Sequence, residues 1–274
     1  MIARMRAWMG IATLMLIYGA LFSVQEAAQQ GRAVELTPTL PAALQRTLGY
    51  FRQIGAEMLY IKTAVFLGGR PPGTPPQTYA GQLAQHFQVI SALHPKFLDT
   101  YYLSESSLPW IDTEYAKRAN RVLESGARAR PDEWFIPFFI GFNYFRYLHE
   151  PIKAATWLHQ ASQTRNAPSW LGHLSALLSA RGGDIVGGLI WLRAMLAAEE
   201  DERTRAMYRA DIAEFTKAAR VLGAIYAYER RHGRAPESLD DLSPEFLKRL
   251  PEMQRGYVLD YNRPNLHLER KPHG

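Results

Sequence analysis

The 274-residue chain is 47% hydrophobic and 21% charged, ordinary values for a folded protein, and it contains no cysteine. That absence excludes disulfides, thiolate nucleophiles, Cys-ligated zinc, iron–sulfur clusters and covalent haem attachment. The net charge of +6 is mild: beyond the first 24 residues, which hold Arg4, Arg6 and no acid, 30 Lys and Arg stand against 26 Asp and Glu.

Residues 7–24 (AWMGIATLMLIYGALFSV) form an uncharged apolar run. As a helix it extends roughly 27 Å, near the lower limit for a bilayer core of about 30 Å. Arg4 and Arg6 precede it and Gln25, Glu26, Gln29 and Gln30 follow, a layout that keeps the amino end in the cytoplasm and exports the rest. Signal cleavage needs small residues three and one before the cut, but Ser23 is preceded by Leu21, and Ala27 and Ala28 by Gln25 and Glu26. The expectation is a single-pass inner-membrane anchor with a periplasmic body. A secreted or periplasmic chain released by cleavage is the alternative. Residues 25–40 read as a linker.

From 41 to 200 the apolar residues recur at helical spacing, and almost nothing before residue 255 alternates like a half-buried strand. Breakers divide this stretch at 68–76, His94-Pro95, Arg130-Pro131, Glu150-Pro151, Ala167-Pro168 and Gly182-Gly183. The first pair of helices is predicted over 42–67 and 77–93. Residues 134–147 hold 8 aromatics, too short a run to span a membrane; they read as a helix buried between its neighbours, with Pro137 in its first turn.

Residues 201–232 read as one long capping helix with an apolar stripe through Met207, Ile212, Phe215, Ala219, Leu222 and Tyr226. Gly233 ends it. A short helix over 236–242 and a β-hairpin of 256–261 with 265–269 complete the 201–274 unit.

Pro95, Pro131 and Pro168 stand 36 and 37 residues apart, each closing a helical segment. The sets Leu83, Phe87, Ile90; Ala119, Leu123, Gly126; Ala154, Leu158, Ala161; and Gly188, Leu192, Met195 share one spacing. In this the region 40–200 resembles the second helices of tetratricopeptide repeats, where small side chains let paired helices approach and large ones fill the groove between pairs. Gly141 and Tyr144 match the first-helix pattern; residues 101–104 and 174–176 match it loosely. The resemblance implies an all-α, right-handed solenoid of helical hairpins. It also implies a concave face lined by first helices, with Asp99, Tyr102, Phe142, Phe145, Arg146, Trp170 and His173 as the expected residues binding a protein or peptide partner. The tail from residue 224 partly resembles the segment after the long helix of type II secretion pseudopilins, but residues 1–24 lack the glutamate-bearing processing site of those proteins.

No catalytic grouping stands out. The eight histidines show no helical ligand spacing backed by a carboxylate, and residues 199–202 read as acids at a helix start. Gly182-Gly183 and Gly187-Gly188 read as a turn and a close-packing position, not a phosphate loop. Lys117, Arg118, Arg121, Arg128, Arg130, Arg230, Arg231 and Arg234 fit solvated helix faces, so no nucleic-acid partner is expected. The sequence is thus read as a non-enzymatic, cofactor-free and metal-free scaffold or assembly factor, part of a hetero-oligomeric envelope complex and tethered through residues 7–24. A permanent structural subunit and, further off, an envelope hydrolase are the competing readings.

Overall fold

The computed structural model describes residues 49–271, together with Met15, residues 17–19 and Leu36. The expected anchor and linker therefore lie almost entirely outside the described residues. Among the described residues, no helix is long and apolar enough to cross a membrane. The chain is mostly helical, with a small carboxy-terminal β-hairpin. The helices are α1 (Arg52–Gly69), α2 (Ala80–Leu93), α3 (Leu98–Ser107), α4 (Thr113–Ala129), α5 (Phe135–Arg146), α6 (Pro151–Ser162), α7 (Trp170–Arg181), α8 (Ile185–Ala198) and α9 (Glu202–His232). Strands β1 (Tyr257–Asn262) and β2 (Asn265–Arg270) pair antiparallel, with Leu259 opposite Leu268.

Local chemistry fixes these boundaries. The Asp112 carboxylate accepts from the Glu114 and Tyr115 N–H groups at 2.8 and 3.0 Å, and Asp201 accepts from Thr204 N–H at 2.7 Å, satisfying donors that a helix start leaves free. Pro151 opens α6, where a missing N–H costs nothing. Gly233 ends α9 at φ 67°, a left-handed conformation open to glycine. A residue before proline is pushed out of the helical region, and the two equivalent helix ends show it alike: His94 at φ −136°, ψ 77° and Arg130 at φ −135°, ψ 68°. Pro168 behaves differently from the expectation. Helix α6 stops six residues earlier, where the Ser162 and Thr164 hydroxyls bond back to the His159 and Ala161 carbonyls. Pro168 instead leads into α7.

Each helix packs on the next one in the chain, and α2 also meets α4. The shared-spacing positions lie inside: eleven of the twelve are buried, and half-buried Met195 covers Gly172. Two glycines show why size matters there. A Cβ on Gly126 would sit 2.6 Å from the ring of Tyr101, which is fully buried and donates its hydroxyl to the Pro95 carbonyl at 2.5 Å. A Cβ on Gly188 would sit 2.6 Å from the Ala176 carbonyl oxygen and 2.8 Å from the Phe215 ring.

Two expectations in the tail hold in part. Residues 236–242 form a 3₁₀ turn, Leu239–Leu242, and not an α-helix; the Asp241 carboxylate ties it off by accepting from Glu237 and Ser238 N–H. In α9 the expected stripe holds through buried Phe215 and Leu222 and half-buried Met207, Ile212 and Ala219, but Tyr226 is exposed, and the buried face also takes in Tyr208, Asp211, Glu214, Ala218, Val221 and Ile225. The two inward acids are accommodated beside that stripe because each has partners. Glu214 accepts from Lys217 Nζ at 2.7 Å and from Gln254 N–H at 2.8 Å, while Asp211 meets His173. Strand β2 closes against α7 through buried Leu266 and Leu268 and through His267, whose Nδ1 lies 3.0 Å from the Arg181 carbonyl.

Gly188→Ala is expected to destabilise the chain by about 1–3 kcal/mol, because the Ala176 backbone leaves the added methyl no room. Gly223→Ala, in α9 with nothing within 4 Å of the added carbon, is expected to stabilise by about 0.5–1 kcal/mol. Urea unfolding monitored by circular dichroism checks both signs.

Candidate functional site: an aromatic surface

The aromatic-rich helix α5 is buried on one face only. Phe135, Ile136, Ile140, Gly141 and Asn143 point into the core, Phe138 and Phe139 are half-buried, and Phe142 and Phe145 reach solvent. The expectation of a helix enclosed between its neighbours therefore holds for half its circumference.

The rings connect into one network across three helices, with buried Phe135 at its base. Tyr102 of α3 stacks on Phe135 at a centroid separation of 4.5 Å and meets Phe139 edge-on at 5.8 Å. Phe139 contacts Phe138 at 5.8 Å, and Phe138 meets Trp170 of α7 edge-on at 5.9 Å and Phe142 at 6.3 Å. Offset and edge-on arrangements at these separations are favourable ring geometries. Tyr102, Phe142 and Trp170 are all exposed.

The structure thus gathers three of the seven sequence-predicted residues on one ring network. Asp99, one turn before Tyr102, is exposed on α3. Burial pushes the Tyr102 hydroxyl pKa up, and the Glu133 and Asp99 carboxylates add to that shift. Phe145 and Arg146 are exposed at the end of α5, with the Arg181 guanidinium 5.6 Å from the Phe145 ring centre. His173, one turn after Trp170 on α7, is engaged with α9. It is half-buried, its Nε2 2.8 Å from Asp211 Oδ2, and its ring contacts Tyr208. Burial works to raise the Asp211 pKa, but the hydrogen bond and charge of His173, with Tyr257 and Arg270, hold it below the usual carboxylate range.

Beneath the rings sits a polar cluster that sequence reading missed. Asn143 Nδ2 of α5 donates to Glu105 Oε2 of α3 at 2.8 Å and to Asn120 Oδ1 of α4 at 2.9 Å. Asn120 and Asn143 are buried, so these bonds fix the azimuth of α5 relative to α3 and α4 and hence the direction its rings face. Burial raises the Glu105 carboxyl to about 7, although the Asn143 hydrogen bond opposes the shift. Only the polar Asn143 inside an aromatic run hinted at this cluster; its partners are 38 and 23 residues away.

Five of the eight basic residues that could suggest a nucleic-acid face are engaged locally: Arg118 and Arg121 with Glu114, Arg130 with Glu133, Arg231 with Glu245 and Arg234 with Glu237. Among the described residues, no group of three or more His, Asp or Glu side chains is placed to hold a metal ion. Neither a comparison with protein-family models nor one with curated proteins finds a match to this chain.

A carboxyl whose folded pKa is raised binds its proton more tightly in the folded state, so its stability contribution is complete below about 4.5 and is lost as pH rises through about 7. Urea unfolding between pH 4.5 and 8 should therefore show a decline on the order of 3 kcal/mol assignable to this group. Glu105→Gln keeps an acceptor for Asn143 but cannot ionise, and should flatten that decline. Equal pH slopes in the two proteins would remove Glu105 as the source.

Proposed function

We propose that this chain is a membrane-tethered, periplasmic scaffold or assembly factor of the tetratricopeptide type, which binds a protein or peptide through its aromatic surface. The observation that carries this reading is the continuous ring network offered by alternate helices, α3, α5 and α7, with Tyr102, Phe142 and Trp170 open to solvent. Aromatic anchors beside Arg are the composition of an interface core, and exposed contiguous apolar surface is the signature of an interaction site.

The solenoid reading draws support from neighbour-on-neighbour packing and from the matching turns at His94-Pro95 and Arg130-Pro131. In a right-handed array of helical pairs, α3, α5 and α7 are first helices, and their shared face is the concave one. The tether is supported by the uncharged run at 7–24 behind Arg4 and Arg6. Partner binding within a hetero-oligomeric envelope complex follows from that placement together with the ring surface.

The test is site-specific photocrosslinking in cells, with benzoylphenylalanine at Phe142 or Trp170 and at exposed Thr156 of α6 as control. Both ring sites should give the same protein adduct and Thr156 should not. With the purified partner, Trp170→Ala should weaken binding by about tenfold or more, the loss typical of an interface anchor, while far-UV circular dichroism stays unchanged. Adduct yields at 142 and 170 no higher than at 156 would sink the proposal.

A further inference from the structure

Helix α1 has two apolar faces, and only one of them is used by the fold. Ala56, Thr63 and Phe66 are buried against the body, with Thr63 Oγ1 2.9 Å from His86 Nδ1 of α2. On the opposite side Phe51, Ile54, Met58, Ile61 and Val65 are between 52% and 68% exposed. A helix facing water alone would not carry five large apolar side chains in a row.

The spacing of that row is three, four, three, four. Phe51, in the 3₁₀ turn that opens α1, takes heptad position a with Met58 and Val65; Ile54 and Ile61 take d. This is the two-in-seven seam of helices that associate side by side, and Ala56 and Thr63 fall at f, directly opposite, where the body holds them. The flanks select the occupant. Glu57 falls at g and Lys62 at e, five residues on, the offset at which g of one strand meets e of the next in a parallel, in-register coiled coil. An antiparallel pairing sets g against g and e against e, and finds no attractive pair in Glu57, Ala64, Gly55 and Lys62. The seam is thus charge-complementary to itself in one orientation.

We propose that α1 is a self-association surface: copies of this chain pack their α1 helices parallel and in register, burying Ile54, Met58, Ile61 and Val65 and pairing Glu57 with Lys62 of the neighbouring copy. The seam spans little more than two heptads, too short to order free helices. Here α1 is already folded on α2, so association does not have to order it. The β-branched Ile at both d positions favours more than two strands.

The chain lacks cysteine, so single introduced thiols report proximity without background. Full-length Met58→Cys and Ile61→Cys, oxidised in membranes, should each form homotypic disulfide-linked dimers well above Thr156→Cys. Glu57→Lys in the Met58→Cys background should lower apparent association by about two- to fivefold, and adding Lys62→Glu should restore it. Ile61→Asp should abolish association of the cysteine-free chain, measured by sedimentation, without loss of helicity, since Ile61 lies outside the protomer core. Dimer yields equal to the Thr156→Cys control, whether the face is covered by the same chain or by lipid, would overturn the proposal. So would disulfides forming only between Met58→Cys and Ile61→Cys chains, the antiparallel result.

Discussion

The close approach of backbone to side chain at a few small residues is the constraint on which the rest of the packing depends. Gly126 lies under the buried Tyr101 ring, Gly141 against Leu158 and the Ala154 carbonyl, and Gly188 against the Ala176 carbonyl. At each place two helices are nearer than a β-carbon would allow, and the space gained is filled by a large side chain from the partner helix. Interiors pack at near-crystalline density, so these contacts set interhelical distance more firmly than the larger residues around them. The hydrogen bond from Tyr101 to the Pro95 carbonyl adds direction, tying α3 to the turn that precedes it.

Packing of that kind fixes distance but leaves rotation about each helix axis weakly specified. The Glu105–Asn143–Asn120 cluster supplies the missing specification. Its hydrogen bonds are worth about 1 kcal/mol each in net terms, yet turning α5 would strand buried amides at a cost of several. The Asn143 Oδ1 and Asn120 Nδ2 atoms have no partner in the cluster, so it is polar beyond what its own bonds satisfy. A neutral Glu105 carboxyl suits this setting, because ionisation would place a net charge among amides with no cation bonded to the carboxylate.

What was legible in the sequence follows the range of the physics involved. The ends of α9 were readable to within a residue because Asp201 and Gly233 act on their own helix, and the β-hairpin because its turn residues and flanking alternation are local. The shared-spacing positions were readable because burial of small residues imposes a period. The end of α6 was not: Ser162 and Thr164 compete for carbonyls before Pro168 is reached. The face of α5 was illegible for another reason. A helix aromatic on nearly all sides has no periodic contrast, so its outward direction is set by Asn143 and its distant partners. The pairing of His173 with Asp211, 38 residues away, likewise leaves no local signal.

The exposed rings follow from the small residues rather than standing apart from them. Gly141 and Asn143 of α5 and Gly172 and Ser175 of α7 occupy the inward positions, and on the facing helices α4 and α6 so do Ala119, Ala154 and Ala161. Phe135, Ile136 and Ile140 of α5 and Leu171 and Leu178 of α7 fill the inward space between these close contacts, and the remaining rings of the two helices are left on the outer arc. Stacking against the ring of the next helix in the row is the arrangement that removes most of its apolar area from water. The same close packing that holds the helices together therefore lays the aromatic side chains of alternate helices along one surface. Enlarging an inward small residue would disturb the order of that surface as well as stability.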